Sequence, residues 1–464
     1  MQLGDLFDDA PMDVATASLE IERVELDSRQ CTAGTLFLAM PGRTTDGAHF
    51  AAEAVLRGAV AVMSDHQLDV GAPVVVVPPT QLRALASHVS AAIVGHPERE
   101  LEMIGVTGTN GKTTVVTVIE QLARQLGWTA ASIGTLTGER TTPAPPDLFR
   151  RLRTLADGMA LAPRRLVAME VSSHALDQGR VDGLHFAASV FTNLGHDHLD
   201  YHHTMEEYFQ AKARLFRSEL TRVAVVWTAD EYGARLAAES PVAVVAVSRD
   251  DASSVVVSTL GATFFWRGHL VRSPLVGEFN VDNALLALSA LAALGAPEAD
   301  LAEALAQVEP VRGRFEVVHD GEITVIVDFA HTPEGLARIL TDVRELRPQS
   351  SLSVVFGCGG DRDEEKRPLM GAIAGRLADR VVVTSDNPRS EPPEAIIDAV
   401  VGGLEAGREY HRDADRREAI AWALKSAQPG EVVVIAGKGH ETTQTLADGA
   451  VPFDDRQVVR ELLR

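Results

Sequence analysis

The sequence is poor in cysteine. Among 464 residues only Cys31 and Cys358 occur, far apart in the chain, so no disulfide framework is implied and a reducing compartment fits. Basic residues are short as well: 43 Lys and Arg face 65 Asp and Glu, a formal net charge of −22. That balance argues against nucleic acid as a partner, because non-specific binding depends on basic surface neutralising phosphates. Small anionic ligands remain open, since a helix N-terminus and a few lysines can hold a phosphate in an acidic protein. No apolar run approaches the ~18 residues a membrane span needs, so no membrane insertion is expected. The N-terminal stretch MQLGDLFDDA lacks a basic segment followed by an apolar one. A signal peptide is therefore not expected, and the location is read as cytoplasmic.

What is present is ordinary for a soluble globular protein, with 45% hydrophobic and 23% charged residues. The length allows about three domains of roughly 150 residues. Short apolar runs alternate with helical patterns throughout, which predicts an α/β fold with largely parallel sheets. A unit over 1–95 carries TLFLAM, AVAVMS and PVVVVP and ends at the breaker Gly95-His96-Pro97. A second over 96–312 contains strands at Met103–Val106, Leu166–Glu170 and Ala188–Leu194, and ends near Val311-Arg312-Gly313-Arg314. A third over 313–464 repeats the strand–turn–helix rhythm in ITVIVDFAHT, LSVVFGCGGDR, RVVVTSDNPR and EVVVIAGKGHE.

A phosphate-binding loop reads G-x-x-x-x-G-K-[ST]. Here the first glycine is missing: Val106 stands in its place, and Gly108-Thr109-Asn110-Gly111-Lys112-Thr113 forms a shorter G-x-x-G-K-T. A strand precedes it, and a helix over about Thr113–Leu126 is predicted to follow. Backbone N–H groups and a helix N-terminus would face the phosphates there. Lys112 would reach the β/γ-phosphates and Thr113 would offer its hydroxyl to Mg²⁺. The plain alternative is a glycine turn.

Glu170 ends the next parallel strand, where ligands of open α/β sheets gather. After a further strand comes GHDHLDYHH, residues 195–203, with four histidines and two aspartates. His196-x-His198-x-Asp200 resembles the start of a zinc-hydrolase motif, but the next histidine is His202, one place late. One histidine near an ATP-bound Mg²⁺ fits the phosphate loop better.

Thr204 and Glu207 match a capping box, so a helix is predicted from there. Its apolar residues Met205, Tyr208, Phe209, Leu215 and Phe216 form one stripe, and the i+7 place on that stripe is Lys212. A buried lysine is costly unless paired or chemically altered. Snorkelling would explain it without function. Beside a Mg²⁺ site, a functional lysine is the preferred reading.

Together GVTGTNGKTT, MEVSSHAL, ASVFTNLGHDHLDYH and AKARLF resemble the central domain of the Mur ligases, which build the peptidoglycan stem peptide. GEFNVDNALLA, VRGRFE, VDFAHTP and GKGHE extend the resemblance, and LDSRQCTAGTLFLAMPGRTTDGAHF is similar to the UDP-binding domain of the MurE type. The resemblance implies an N-terminal UDP-binding α/β domain, a central P-loop ATPase domain and a C-terminal Rossmann-like domain. It implies that Gly108, Thr109, Asn110, Gly111, Lys112, Thr113 and Thr114 bind ATP. Asn280, Asn283, Arg314, Asp328 and His331 match the rest of the nucleotide site. Thr113, Glu170 and His198 match Mg²⁺ ligands, and Lys212 matches a carbamylated lysine, its carbamate derived from CO₂. Lys112, Lys212, His198 and Glu170 are thus the expected catalytic set. Leu26, Ser28, Arg43, Thr44, Thr45, Asn110, Thr141, Thr142, Ser172, Gln178 and Arg180 match positions around a UDP-muramoyl substrate.

D-N-P-R at Asp386–Arg389 looks like the signature of members that add meso-diaminopimelate instead of lysine. An arginine fork can bind the extra carboxylate bidentately. Arg362, Asp386, Asn387, Arg389, Gly437 and Glu441 are the expected acceptor contacts; a surface turn is the plain alternative. The implied reaction activates the D-glutamyl side-chain carboxylate as an acyl phosphate, which the acceptor amine attacks. Lysine or another diamino acid as acceptor, and a catalytically retired homologue serving as a binding module, stand as alternatives. A folylpolyglutamate or cyanophycin synthetase relative is disfavoured by LDSR and D-N-P-R. Trp227-Thr228-Ala229-Asp230 departs from the family's Asn-Ala-Asp-Asp, Phe329 replaces a tyrosine, and Pro143–Pro146 is an insert. A monomer acting on small molecules is expected.

Overall fold

The computed structural model describes residues 1–7, 12–42, 45–138 and 140–463, and in these the chain divides into two compact units. The first comprises Met1–Gly108, Ala123–Thr192 and Glu206–Ala246; the second comprises Thr109–Leu122, Asn193–Met205 and Val247–Arg464.

In the first unit the leading sheet has four parallel strands in chain order, Arg23–Glu25, Thr35–Leu38, Ala59–Ser64 and Val74–Val76. The short Arg23–Glu25 strand has too few apolar residues to announce itself in the sequence. Leu36, Leu38, Ala61 and Met63 pack beneath the helix Pro79–Ile93, which contributes Leu82, Ala86 and Val89. The second sheet has six strands, with Glu102–Thr107 between Arg165–Glu170 and Ala188–Phe191. Its pairings from Thr129–Ile133 across to Val223–Trp227 are parallel, so these strands discharge their loops at one carboxyl edge. The strand expected to reach Leu194 stops at Phe191, and the helix expected after the phosphate loop spans Lys112–Gln125.

Two departures from the family pattern have local physical roles. Pro145 and Pro146 of the insert open the first turn of the helix Pro145–Gly158, where a missing N–H costs nothing. Asp230 caps the helix Glu231–Glu239 by accepting from the Gly233 N–H at 2.8 Å.

The second unit contains a feature that a largely parallel reading omits, an antiparallel meander of Ala252–Ser258, Gly261–Trp266 and His269–Ser273. Its second turn places Arg267 and Gly268 both at positive φ, +49° and +84°, the twist that suits a two-residue hairpin. The larger sheet follows the order Glu316–Asp320, Thr324–Asp328, Val432–Ala436, Leu352–Phe356, Arg380–Thr384, Tyr410–Asp413. Only its first pairing is antiparallel. The helix Pro333–Leu346 covers one face through Leu336, Ile339, Leu340 and Val343, spaced i, i+3, i+4, i+7. Each such side chain contributes about 1.5–3 kcal/mol by leaving water.

Arg416 and Asp455 form a fully buried pair at the sheet's carboxyl edge, with both side chains at 0% exposure. Arg416 Nε and Nη2 each donate to Asp455 at 2.8 Å, and Nη2 also donates to the Ala436 carbonyl at 3.0 Å. Removing one partner strands the other charge in a dry interior. Asp455→Ala should therefore destabilise the second unit by about 3–5 kcal/mol, read as a lowered denaturation midpoint. An unchanged midpoint would show that the pair is not desolvated.

Candidate functional site

The phosphate loop grows out of the Glu102–Thr107 strand, and Gly111 takes φ +85°, a conformation glycine adopts without penalty. Beyond Gly108 the loop is braced by Asn193. Thr109 N–H donates to the Asn193 carbonyl at 2.9 Å and Asn110 N–H to its side-chain oxygen at 3.0 Å; its amide donates back to the Asn110 carbonyl at 3.2 Å. The Thr109 hydroxyl also accepts from the Gly195 N–H at 2.9 Å. Lys112 Nζ donates to the Thr109 carbonyl at 2.9 Å, which curls the lysine over its own loop, and Thr113 and Thr114 are buried at the helix start. The brace was not anticipated from the sequence; an amide directly after a strand, in FTN, was its only signal.

In the first unit Glu170 pairs in register with Val106, just before the loop. Its carboxylate accepts from Thr135 N–H at 2.8 Å and the Thr135 hydroxyl at 3.3 Å. The Thr135 hydroxyl lies 3.1 Å from that of Thr141. Thr142 donates to the Glu170 carbonyl at 2.9 Å and accepts from Ser172 N–H at 3.0 Å. Arg180 donates to the Thr142 carbonyl at 2.8 Å and to Gln178 Oε1 at 2.7 Å. Glu170, Thr141, Thr142, Ser172, Gln178 and Arg180 therefore form one polar network, with Thr135 as a member that sequence reading missed.

Lys212 is buried, as its place on the apolar stripe of Met205–Ala213 required, at 1% exposure. Its Nζ donates to the Gly108 carbonyl at 2.8 Å and sits 4.6 Å from the centre of the Tyr208 ring. The stripe lysine thus meets Gly108, the first glycine of the phosphate-loop pattern.

On the leading sheet Ser28 is buried and donates to Glu53 at 2.8 Å, while Leu26 packs partly against the sheet's core. Thr45 is exposed, and its carbonyl accepts from the Gly42 N–H at 3.2 Å. Arg43 and Thr44 lie outside the described residues. Arg150 ties this region to the helix Pro145–Gly158, donating to Glu25 at 2.8 Å, to the Val24 carbonyl at 3.3 Å and to Asp147 at 2.6 Å.

In the second unit Arg314 Nη2 donates to the Thr113 hydroxyl at 3.1 Å, and its guanidinium lies 4.4 Å from the Phe329 ring centre. Phe329 is flanked by His331 at 4.6 Å and His440 at 5.1 Å. The ring that replaces a tyrosine is thus a platform, and its missing hydroxyl is not needed for that. Asp328 accepts from Phe315 N–H at 2.7 Å and Ala330 N–H at 2.8 Å. Asn280 and Asn283 are buried on the helix Glu278–Ala293, with Asn283 donating to Asn280 at 3.0 Å and Asn280 to the Val276 carbonyl at 2.7 Å. His198 is exposed, takes φ +54°, and lies 3.5 Å from Asp197. Among the described residues no group of three His, Cys, Asp or Glu could hold a metal ion.

The expected acceptor contacts lie on the loops that follow Leu352–Phe356, Arg380–Thr384 and Val432–Ala436, and these loops come together. Asn387 donates to Glu441 at 2.9 Å, and Arg389 Nη1 donates to the Gly360 carbonyl at 2.7 Å. A Cβ on Gly360 would stand 1.9 Å from the Pro388 carbonyl oxygen, so only glycine lets the loops close. One on Gly359 would meet Arg389 Nη1 at 2.9 Å and Arg362 Cγ at 3.7 Å, placing both arginines about the same turn. Gly437, at φ +115°, approaches Asp386 closely.

A glycine-rich loop that follows a parallel strand and opens a helix with Lys112 and Thr113 defines a P-loop nucleotide-dependent enzyme. Three descriptions match the chain in succession: "Mur ligase family, catalytic domain" over residues 20–111, "Mur ligase middle domain" over 106–291 and "Mur ligase, glutamate ligase domain" over 313–439. The chain belongs to the Mur ligase family and is an ATP-dependent, ADP-forming ligase. It is 44% identical over 470 residues to the UDP-N-acetylmuramoyl-L-alanyl-D-glutamate–2,6-diaminopimelate ligase of Geobacillus thermodenitrificans, covering 96% of this chain and 95% of that one. To the protein of the same name from Streptomyces coelicolor it is 41% identical, covering 100% and 96%. A solved structure bearing that enzyme name superposes with a TM-score of 0.69 at 33% identity, covering 100% of this chain and 98% of the other.

Burial, and then the Arg314 guanidinium, lower the His440 imidazole from its ordinary 6.5 to about 4. In an NMR titration His440 should stay neutral down to about pH 4, and Arg314→Ala should raise that midpoint towards 6.5. A midpoint unmoved by the substitution would remove the arginine as a cause.

Proposed function

We propose that the protein adds meso-diaminopimelate to UDP-N-acetylmuramoyl-L-alanyl-D-glutamate with consumption of ATP, a step in peptidoglycan precursor synthesis. The single observation that carries the catalytic assignment is the buried Lys212 ammonium donating to the Gly108 carbonyl at 2.8 Å. A nitrogen so placed is directed at Gly108 of the phosphate loop, and a carbamate on it would keep one N–H for that carbonyl. On this reading 1–95 receives the UDP-muramoyl substrate, 96–312 binds ATP and 313–464 binds the acceptor. The enzyme works as a monomer in the cytoplasm, where both nucleotide substrates are found; no helix among the described residues is long and apolar enough to cross a membrane.

The D-glutamyl carboxylate is a poor acyl donor until it carries a phosphoryl group. The loop 108–114 holds the ATP phosphates through Lys112 and the backbone N–H groups at the start of the helix Lys112–Gln125, and the lysine offsets charge that builds on the transferred group. Thr113, Glu170 and His198 would hold Mg²⁺, which supplies further neutralisation when bound. Their hydroxyl, carboxylate and imidazole donors suit such an ion. Lys212 as a carbamate would add an anionic oxygen ligand to that set; the support is its burial against the loop, which penalises an ordinary ammonium. Thr141, Thr142, Ser172, Gln178 and Arg180 orient the muramoyl-dipeptide, and Asn280, Asn283, Arg314, Asp328 and His331 the nucleotide. The acceptor amine then attacks the acyl carbon, and phosphate leaves from the tetrahedral intermediate. Arg362 and Arg389 hold acceptor carboxylates, and Asp386, Asn387, Gly437 and Glu441 its polar remainder.

ATP-dependent phosphate release with the UDP-muramoyl-dipeptide should be fast with meso-diaminopimelate and at least about a hundredfold slower with lysine or ornithine, the scale expected when an arginine fork loses the carboxylate it binds. Turnover with lysine alone would overturn the acceptor assignment, and no turnover with any amine would overturn the reaction. Lys212→Ala should lose about a thousandfold in kcat, the scale of a removed electrostatic stabiliser, and regain part of it in short carboxylic acids. Wild-type rates in that variant would end the carbamate assignment.

A further inference from the structure

At the acceptor end of the second unit lies a lysine that none of these roles employs. Lys438 follows Gly437 directly after the Val432–Ala436 strand, and its side chain is 0% exposed. Its Nζ donates to Glu441 Oε2 at 2.8 Å and to Asn387 Oδ1 at 3.2 Å, and lies 3.8 Å from Asp386 Oδ1. One ammonium therefore touches both acceptor-loop residues and faces a third. Glu441 and Asn387 are held in turn by their own bond at 2.9 Å, and Thr445 N–H donates to Asn387 Oδ1 at 2.9 Å. With its oxygen occupied by two donors, the Asn387 amide has one orientation left, N–H groups towards Glu441.

The charges do not cancel. Arg416 and Asp455 neutralise one another. Lys438 is spent at hydrogen-bond distance on Glu441, whose carboxyl it holds below the usual range against the opposing effect of burial. That leaves Asp386, nearly buried, whose Oδ1 accepts no hydrogen bond from any described residue. Ser385 Oγ and Thr384 Oγ1, one and two residues before it, are likewise buried and without a described partner. Burial raises the Asp386 pKa against the opposing charges of Arg416 and Lys438, and Glu441 and Asp455 add to the rise. A buried carboxylate oxygen with no hydrogen-bond donor, in a group of three carboxylates and two cations, has the chemistry of a seat for an incoming ammonium.

We propose that Lys438 is the positioning residue of the acceptor pocket: its ammonium fixes Glu441 and the Asn387 amide, and so leaves Asp386 as the carboxylate that an amino-acid ammonium completes. This rests on the acceptor-pocket reading above. The lysine acts through its neighbours, and the acceptor's cationic end supplies a third positive charge where Asp386, Glu441 and Asp455 share only Arg416 and Lys438. Arginine would not substitute well, because a planar fork cannot occupy the point between Glu441 and Asn387 that one Nζ fills.

Steady-state kinetics on the full-length protein decide this, with ATP, UDP-muramoyl-dipeptide and meso-diaminopimelate varied in turn. Lys438→Met should raise KM for diaminopimelate about ten- to hundredfold, the scale of a charged hydrogen bond, with KM for the other two substrates within about twofold. Lys438→Arg should show the same selective rise, smaller in size. An unchanged diaminopimelate KM, or three KM values that rise together, overturns the inference. Should the Met variant fail to fold, the Arg variant decides alone, a wild-type diaminopimelate KM counting against the proposal. No turnover by the wild-type protein overturns the functional reading and this inference together; wild-type turnover with an unselective variant overturns the inference only.

Discussion

A charge taken out of water must be matched where it stands, and this constraint organises the protein's chemistry. Lys212 lies on the apolar stripe of a helix and is met by the Gly108 carbonyl. Arg416 and Asp455 meet each other at 0% exposure. Lys438, equally buried, draws Glu441 and Asn387 around itself. Glu25, on the short leading strand, is met by Arg150 from a helix more than a hundred residues later. Desolvating any of these alone would cost several kcal/mol, so each pairing pins the segments that carry it. The pinned segments are those that bear the functional loops.

The second organising feature is the parallel sheet. Parallel strands deliver their loops to one edge, so residues distant in the chain come together without a dedicated scaffold. Glu170 stands opposite Val106 because two strands pair in register. Gly360, Asn387 and Glu441 share a pocket because three strands of the larger sheet end side by side. Glycine is required at the closest approach, where the Gly360 backbone packs under Pro388 and any Cβ would collide.

Much of this was legible in the sequence. The phosphate loop, its helix and the parallel strands follow from glycine spacing and apolar runs, which are local signals. Lys212 was legible because a lone charge on an i, i+3, i+4, i+7 stripe contradicts its surroundings. The meander over Ala252–Ser273 was less so, since its strands alternate weakly and its outer face stays in water. Asn193, Thr135 and Lys438 were not legible as site residues. Each acts by a hydrogen bond to a residue tens of positions away, and a side chain's partner is not written beside it.

The sequence by itself determined the fold class, the family and the identities of the chemical groups. These depend on local pattern: period, turn residues and short motifs each act within a few residues. Tertiary structure alone decided which groups meet. It set Asn193 against the phosphate loop, Phe329 beneath Arg314 and Lys438 among the acceptor residues. Burial decides whether a lysine is a solvated surface charge or the centre of a pocket, and burial is a property of the packed chain.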